Sequence, residues 1–502
     1  MQNKSSRIRA HSGVMRIAAA LIAASLAMIG SITPLQAERV PVQASDCHLG
    51  PGNLEGSPLY LIHSCITDRD LLKLAGLAMN SPNGGTASDR AMVSKLSTII
   101  GLPQPVVEQF LIFAGQQDVA AEKLANKLVE MSDAHKRLIG EWLAPSTSGQ
   151  PNLDALVNEA REAAQTGRHA EAKALLTKAS LSAETEAQTV PATSAKSFAL
   201  AASARAGLGQ IALIRSEYRE AAIYFEAALR SLGDADPARQ YAYREARAHA
   251  LYLQGKDKDD AAALTEAIEH YRALLNAAPG DGASARSASI QLNLGDALLR
   301  LGARTGEKEP LEEALIVFRN SLEELQRARQ PLDWARAQQG LGATLLRLGL
   351  AETGTARLEE AVAAFRESLK EYTRTRAPLE WAVAQGSLGT ALWSLGGRET
   401  GYAHFEAAVL AYREGLKQIS RAHTPLDWAA RQNNLGAALI SLSERKSSLK
   451  NLQEAVAAFR NSLEAYQDES ATYYIGGVKD NLDRAERLLK QFRLTGKMPA
   501  AN

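Results

Sequence analysis

The chain has 502 residues, 57 Lys and Arg against 56 Asp and Glu, with 46% hydrophobic and 5% aromatic residues. That is room for several domains or one long repeat array, and too apolar for a disordered chain. Balanced charge gives no basic stripe for nucleic acid, and two cysteines and nine histidines at no metal-ligand spacing disfavour a structural zinc or iron–sulfur protein. No Gly-rich phosphate loop, HExxH, GxSxG or paired-carboxylate motif stands out, so the sequence nominates no catalytic residue, no cofactor and no metal.

In chain order, Lys4, Arg7, Arg9 and Arg16 precede the apolar stretch from Ile17 to Ile32 and then Pro34-Leu35-Gln36-Ala37, with no acidic residue before Glu38. This is the order of a secretory signal peptide over residues 1–37, with cleavage expected after Ala37; an uncleaved anchor is the alternative. Cleavage leaves 53 basic against 56 acidic residues, a net charge of −3, and no stable membrane span is expected afterwards. The implied location is periplasmic or secreted, where Cys47 and Cys65 are expected to pair. By loop entropy such a bridge stabilises by about 3 kcal/mol. Residues 38–104 then read as a small cap or docking element with short apolar runs at Leu59 to Ile62 and Leu71 to Leu77. His48 and His63 beside the cysteines are either surface histidines or a weak metal hint. A helical module is expected over 105–150 and divergent helix pairs over 151–283, including Gly167 to Ala179 and Tyr218 to Leu232.

From 284 to 471 the chain repeats every 47 residues, in four units. Pro331-Leu-Asp-Trp334, Pro378-Leu-Glu-Trp381 and Pro425-Leu-Asp-Trp428 share that offset. So do Leu294-Gly295, Leu341-Gly342, Leu388-Gly389 and Leu435-Gly436, and the aromatics Tyr271, Phe318, Phe365, Tyr412 and Phe459. Each unit holds two amphipathic helices. The second carries the stripe Leu358, Ala361, Val362, Phe365, Leu369 and Tyr372, repeated from Leu452 to Tyr466. The first opens on Pro at N1, and Thr424 with Asp427 matches a capping box, whereas Gln330 and Ala377 should start their helices more weakly. A mid-helix glycine costs about 1 kcal/mol against alanine, so its recurrence implies close approach of a neighbouring helix. Residues 472–494 read as a polar capping helix and 495–502 as a tail.

These residues resemble tetratricopeptide repeats. That motif joins Leu-Gly in its first helix with an alanine and an aromatic four residues apart in its second, here Leu341-Gly342 with Ala361 and Phe365, and Leu435-Gly436 with Ala455 and Phe459. The usual repeat is about 34 residues. This one adds seven in the turn from Leu350 to Arg357 and six in an extended second helix plus linker, as in a long-repeat bacterial subclass. The resemblance implies an all-α, right-handed superhelical solenoid of antiparallel helix pairs that binds a protein or peptide rather than performing chemistry, its first helices lining the concave face.

By motif position that face offers Leu292, Asp296 and Arg300, then Arg336, Gln339 and Arg347, then Thr390 and Trp393, then Asn433 and Ile440, a mixed apolar and amide-rich groove for an extended peptide or partner helix. Gln291, Gln338, Gln385 and Gln432 face either the groove or the next repeat. Trp334, Trp381 and Trp428 are either wedges between repeats or stacking platforms. Arg272, Arg319, Arg366, Arg413 and Arg460 form either a basic ridge or a charge-balanced solvated face. A non-catalytic scaffold of the cell envelope is the leading reading, a receptor-like module that binds a small ligand or peptide and signals through the N-terminal region its rival, and an enzyme the third. Homo-oligomerisation is left open.

Overall fold

The computed structural model describes residues 58–498 apart from 81–85, 118, 120, 144–145, 147–149, 191–193, 278–282 and 423. The segment expected to be a signal peptide, Cys47 and His48 lie outside the described residues. Those described form helices and no strand, and they divide into two compact units. One runs from Asp68 to Glu307; the other starts at Lys308 and takes in the short helix α1 (Pro58–Cys65). The boundary falls inside the first expected 47-residue unit, between its two helices.

In the N-terminal unit, α2 (Asp68–Asn80) and α3 (Ala87–Ile100) stand in the stretch expected as a cap and pack with α4 (Gln104–Gln116) and α5 (Ala121–Arg137) of the expected helical module, α2 on α4 and α5 and α3 on α4. α3 starts on a capping box: the Asp89 amide donates to Thr86 Oγ1 at 3.2 Å, and Asp89 Oδ2 accepts from the Thr86 amide at 2.9 Å. Lys73, 2.7 Å away, and Thr86 hold the Asp89 carboxyl down at about 2. α5 ends in a π-helical turn, Leu138–Trp142, closed by Leu143 N donating to Leu138 O at 2.8 Å. The turn sends Trp142 onto Tyr243, ring centroids 5.3 Å apart.

Helix pairs follow: α6 (Pro151–Gln165) with α7 (His169–Thr189), α8 (Ser194–Ile214) with α9 (Tyr218–Leu232), α10 (Pro237–Asp257) with α11 (Ala261–Asn276), and then α12 (Ala283–Thr305). Each helix packs on the next. α8 is long and apolar enough to cross a membrane, but it is apolar on every side because α7, α9 and α5 cover it. α9 has the expected limits.

The C-terminal unit continues the pattern with α13 (Glu309–Glu324), α14 (Pro331–Ala351) and α15 (Ala356–Ser368), α16 (Pro378–Gly396) and α17 (Ala403–Leu416), α18 (Pro425–Lys446) and α19 (Leu449–Asp468), and α20 (Thr472–Thr495). The second helices α15, α17 and α19 each pack on both their own first helix and the next one, α13 packs on α14, and the first helices α14, α16, α18 and α20 also touch in succession. The glycine expectation holds in detail. A Cβ on Gly342, Gly389 or Gly436 would stand 2.8 Å from the ring of Phe365, Tyr412 or Phe459 respectively, so each aromatic seats where a side chain is missing. Gly209 and Phe225 repeat the arrangement between α8 and α9.

Three local expectations are corrected. Thr424 makes no cap bond; its hydroxyl turns back to Ser420 O at 3.4 Å, so Pro425 at N1 is what α14, α16 and α18 share at their starts. The expected turn at 350–357 narrows to 352–355, since α14 continues to Ala351 and α15 begins at Ala356. The stripe from Leu358 to Tyr372 is not one helix: α15 ends at Ser368, and Thr373 Oγ1 accepts from Arg376 N at 3.1 Å, a side-chain bond that competes with helical ones. Its counterpart α19, with no threonine there, runs on past Tyr466. In α20 only Val478, Ala485 and Leu489 are buried, and Asp483 stands 47 residues after Gly436, so the seat for a further aromatic is gone and the array is capped.

Candidate functional site

The expected face of first-helix residues divides into a buried majority and an open row. Leu292, Arg336, Gln339, Thr390, Trp393, Asn433 and Ile440 are buried. Several of them join neighbouring repeats instead of facing outward. Gln339 Nε2 donates to Ser387 Oγ at 3.1 Å, Trp393 Nε1 to Ser441 Oγ at 2.9 Å, and Asn481 Nδ2 to Asn433 Oδ1 at 3.0 Å, each pair 48 residues apart. Thr390 Oγ1 donates to Gly386 O at 3.1 Å and meets Tyr412 OH at 2.9 Å. Arg431 threads across Gly386 to donate to Ala382 O at 3.0 Å, and burial pulls its pKa down. In the N-terminal unit, Asp296 and Arg300 are half-buried on α12, and Arg300 Nε donates to Tyr252 OH at 3.1 Å. The second amide row is split: Gln291 is buried, whereas Gln338, Gln385 and Gln432 are half-buried.

The open row is Arg347, Ser394 and Ser441, one register position on α14, α16 and α18, flanked by the half-buried Val383 and Ala437. Ser394 Oγ is taken by Thr390 O at 2.8 Å and Ser441 Oγ by Ala437 O at 3.1 Å. Arg347 is different. Its Nε is buried with no acceptor, and no acid pairs with it among the described residues. Burial alone lowers its pKa to about 10, so at neutral pH it is still a cation. A mostly buried guanidinium without an acceptor is costly unless something arrives to meet it.

Of the three repeated tryptophans, Trp381 is a wedge between repeats. Trp381 packs with Ala335 and Tyr372 of the preceding pair and Ile419 and Trp428 of the following stretch. The sequence reading missed their lids. Arg327, Arg374 and Arg421, themselves 47 residues apart, lie over Trp334, Trp381 and Trp428 at 4.7, 5.4 and 5.8 Å from the ring centroids. The lids could have been found from the shared offset. The second-helix arginines are charge-balanced where an acid stands 41 residues on: Arg319 meets Glu360 at 2.7 Å and Arg413 meets Glu454 at 2.6 Å. Position 407 is alanine, and Arg366 is exposed. Such exposed pairs contribute little to stability.

Two buried polar clusters in the N-terminal unit were also not anticipated. Lys127 of α5 donates to Asp257 at 2.9 Å, Glu130 at 3.4 Å and Tyr218 OH; Tyr218 OH donates to Asp257 at 2.5 Å, and Lys256 meets Glu130 at 2.6 Å. These bonds tie the helical module to α9 and α10. His135 and His169 face each other, Nδ1 to Nε2 3.2 Å, against Phe110 and Phe113. Burial lowers His135 to about 4 and, together with His135, His169 to about 3. Among the described residues no group of three His, Cys, Asp or Glu is placed to hold a metal.

The class defined by these elements is an all-α array of stacked helix pairs in each unit. No family model matches the chain, and no curated protein sequence does. Among solved structures it is similar to the TPR2AB-domain:pHSP90-complex of yeast Sti1, at 16% identity and a TM-score of 0.21, over 57% of this chain and 98% of that one.

Proposed function

We propose that the chain is a non-catalytic protein-interaction scaffold whose C-terminal unit takes an extended peptide or partner helix along the row from Arg347 to Ser441, with an acidic group of the partner meeting Arg347. The single observation that carries this reading is the Arg347 guanidinium, mostly buried and unpaired on an otherwise serine-lined row. A carboxylate there forms a charge-assisted, bidentate pair, the interaction best matched to arginine. The proposal includes export by the N-terminal segment to the periplasm or beyond, cleavage after Ala37, and a Cys47–Cys65 bridge in that compartment.

A photoreactive residue placed at Val383 or Ala437 in the cell of origin should capture the same macromolecule, while one placed at Arg366 on the second-helix side should not. Capture from the second-helix side only would reverse the assignment. Mass spectrometry of the protein recovered from the cell envelope tests the rest: an N-terminus at Glu38 and oxidised cysteines are expected, and a retained segment or free thiols would count against export.

A further inference from the structure

The N-terminal unit holds a second cleft, remote in sequence from the row on α14 to α18. Its volume is about 300 Å³, at the lower end of the range of about 300 to 1,000 Å³ for small-molecule sites. Its floor is the turn between α8 and α9, where Ser216 takes a left-handed conformation, φ 57°, unusual for a residue with a side chain. Backbone bonds close the turn, Ser216 N to Leu213 O at 2.9 Å and Glu217 N to Ala212 O at 2.8 Å. The end of α4 and Lys258 after α10 form its walls.

The polar groups in this cleft are left unmatched in a definite pattern. Ser216 is 5% exposed, and its Oγ has no partner. Gln117 Nε2 donates to the Arg215 carbonyl, which fixes the amide's orientation and leaves Oε1 buried with no donor. Arg215 lies over the Phe113 ring at 4.9 Å and spends its Nε on Glu217 Oε1 at 2.8 Å; neither Nη has a partner among the described residues. Lys258 is exposed. Glu217 Oε2 is also buried without a hydrogen bond, with Lys173 Nζ at 3.6 Å.

The exposed Lys258 ammonium and the Arg215 Nη groups left over from its ion pair with Glu217 can receive an anion, while the unmet Gln117 Oε1 and Glu217 Oε2, which line the same cleft, can receive a donor, preferably a charged one. A simple anion would leave the acceptors unmet, and a simple amine would leave the cations unmet. We propose that this cleft binds a free α-amino acid, its carboxylate toward Lys258 and Arg215, its ammonium toward Gln117 Oε1 and Glu217, and the Ser216 hydroxyl bridging the two ends. The ligand is small and zwitterionic, and this site is distinct from the partner row, so either assignment can fail alone.

The test is calorimetric titration and thermal melting of the full chain with each of the twenty L-amino acids, with acetate and ethylammonium as single-charge probes and a blocked dipeptide as the third control. At least one amino acid should raise the melting temperature and titrate one to one, and the three controls should not. Ser216→Gly suits the left-handed backbone and removes the CH2OH side chain with its unpartnered hydroxyl. It should leave the unliganded melting temperature level or higher while weakening binding about fivefold to tenfold. Lys258→Glu, on an exposed turn, should weaken it tenfold or more. The proposal is overturned if no amino acid shifts the melt, if acetate or ethylammonium does so equally, or if both variants titrate like the parent.

Discussion

Residue-scale stability in the array comes from aromatic side chains seated against glycine and from a tryptophan pressed between repeats. Trp381 shows both faces of this. One side of its ring packs among Ala335, Tyr372 and Ile419, and the guanidinium of Arg374 lies 5.4 Å from its centroid. Truncating Trp381 to alanine removes a large buried side chain and should cost about 3 to 5 kcal/mol. Arg374→Ala removes only a cation–π lid at a half-open site and should cost about 0.5 to 1 kcal/mol. Urea unfolding of the two variants against the parent checks this. Equal losses would mean that the arginine, not the packing, carries the site. The tryptophan period was legible in the sequence because Pro-Leu-Asp/Glu-Trp is a conspicuous string. The arginines share the period but sit among other arginines, and charge alone does not say which of them stacks.

At the element scale, helix starts and the joint between helices α4, α5 and α7 are the informative places. Thr424 looks like a cap in sequence, yet its hydroxyl is turned to Ser420 O; Asp260 before α11 does cap, accepting from Ala263 N at 3.0 Å. Asp260→Ala should therefore cost about 1 kcal/mol and Thr424→Ala less than about 0.5. A loss at Thr424 as large as that at Asp260 would refute the distinction, with denaturation midpoints as the readout. A residue's identity permits a cap; which way its side chain rotates is decided by the preceding turn, which is why this was not legible in advance.

The His135–His169 pair at that joint has a pH consequence. Both folded pKa values, about 4 and about 3, lie below the usual value of about 6.5 for a free histidine, so the unfolded chain binds the protons more readily. The stability that the neutral pair contributes is present above about pH 6.5 and is lost as pH falls toward 4. At pH 5 the loss is about 2 kcal/mol per histidine. The chain with both histidines changed to leucine should lose correspondingly less between pH 7 and pH 5. Equal losses in parent and double variant, measured by urea unfolding at the two pH values, would remove the pair from the account.

For the molecule as a whole, the 47-residue period announced stacked helix pairs because each marker is tied to a contact that every pair must make: glycine admits the aromatic, and proline opens the first helix. The position of the open face was less legible. Motif position places residues on that face, but it does not say that Gln339, Trp393 and Asn433 bond to the next repeat instead of facing outward. What stays half-open is Arg347, which was expected on that face, with Ser394 and Ser441 at the same register position. The cleft in the N-terminal unit depends on which polar atoms end up unmatched, and no period in the sequence encodes that.

The central claim is that a partner docks on the first-helix face through Arg347. Its most direct measurement is the amount of partner recovered by crosslinking at Ala437 in chains carrying Arg347→Met, Arg347→Glu or Arg366→Glu, with melting temperatures recorded alongside. Arg347→Met keeps the packing of the stem and should lower recovery about tenfold, Arg347→Glu further, while Arg366→Glu on the opposite side leaves it unchanged. Undiminished recovery in both Arg347 variants, or a loss that only Arg366→Glu produces, would contradict the account.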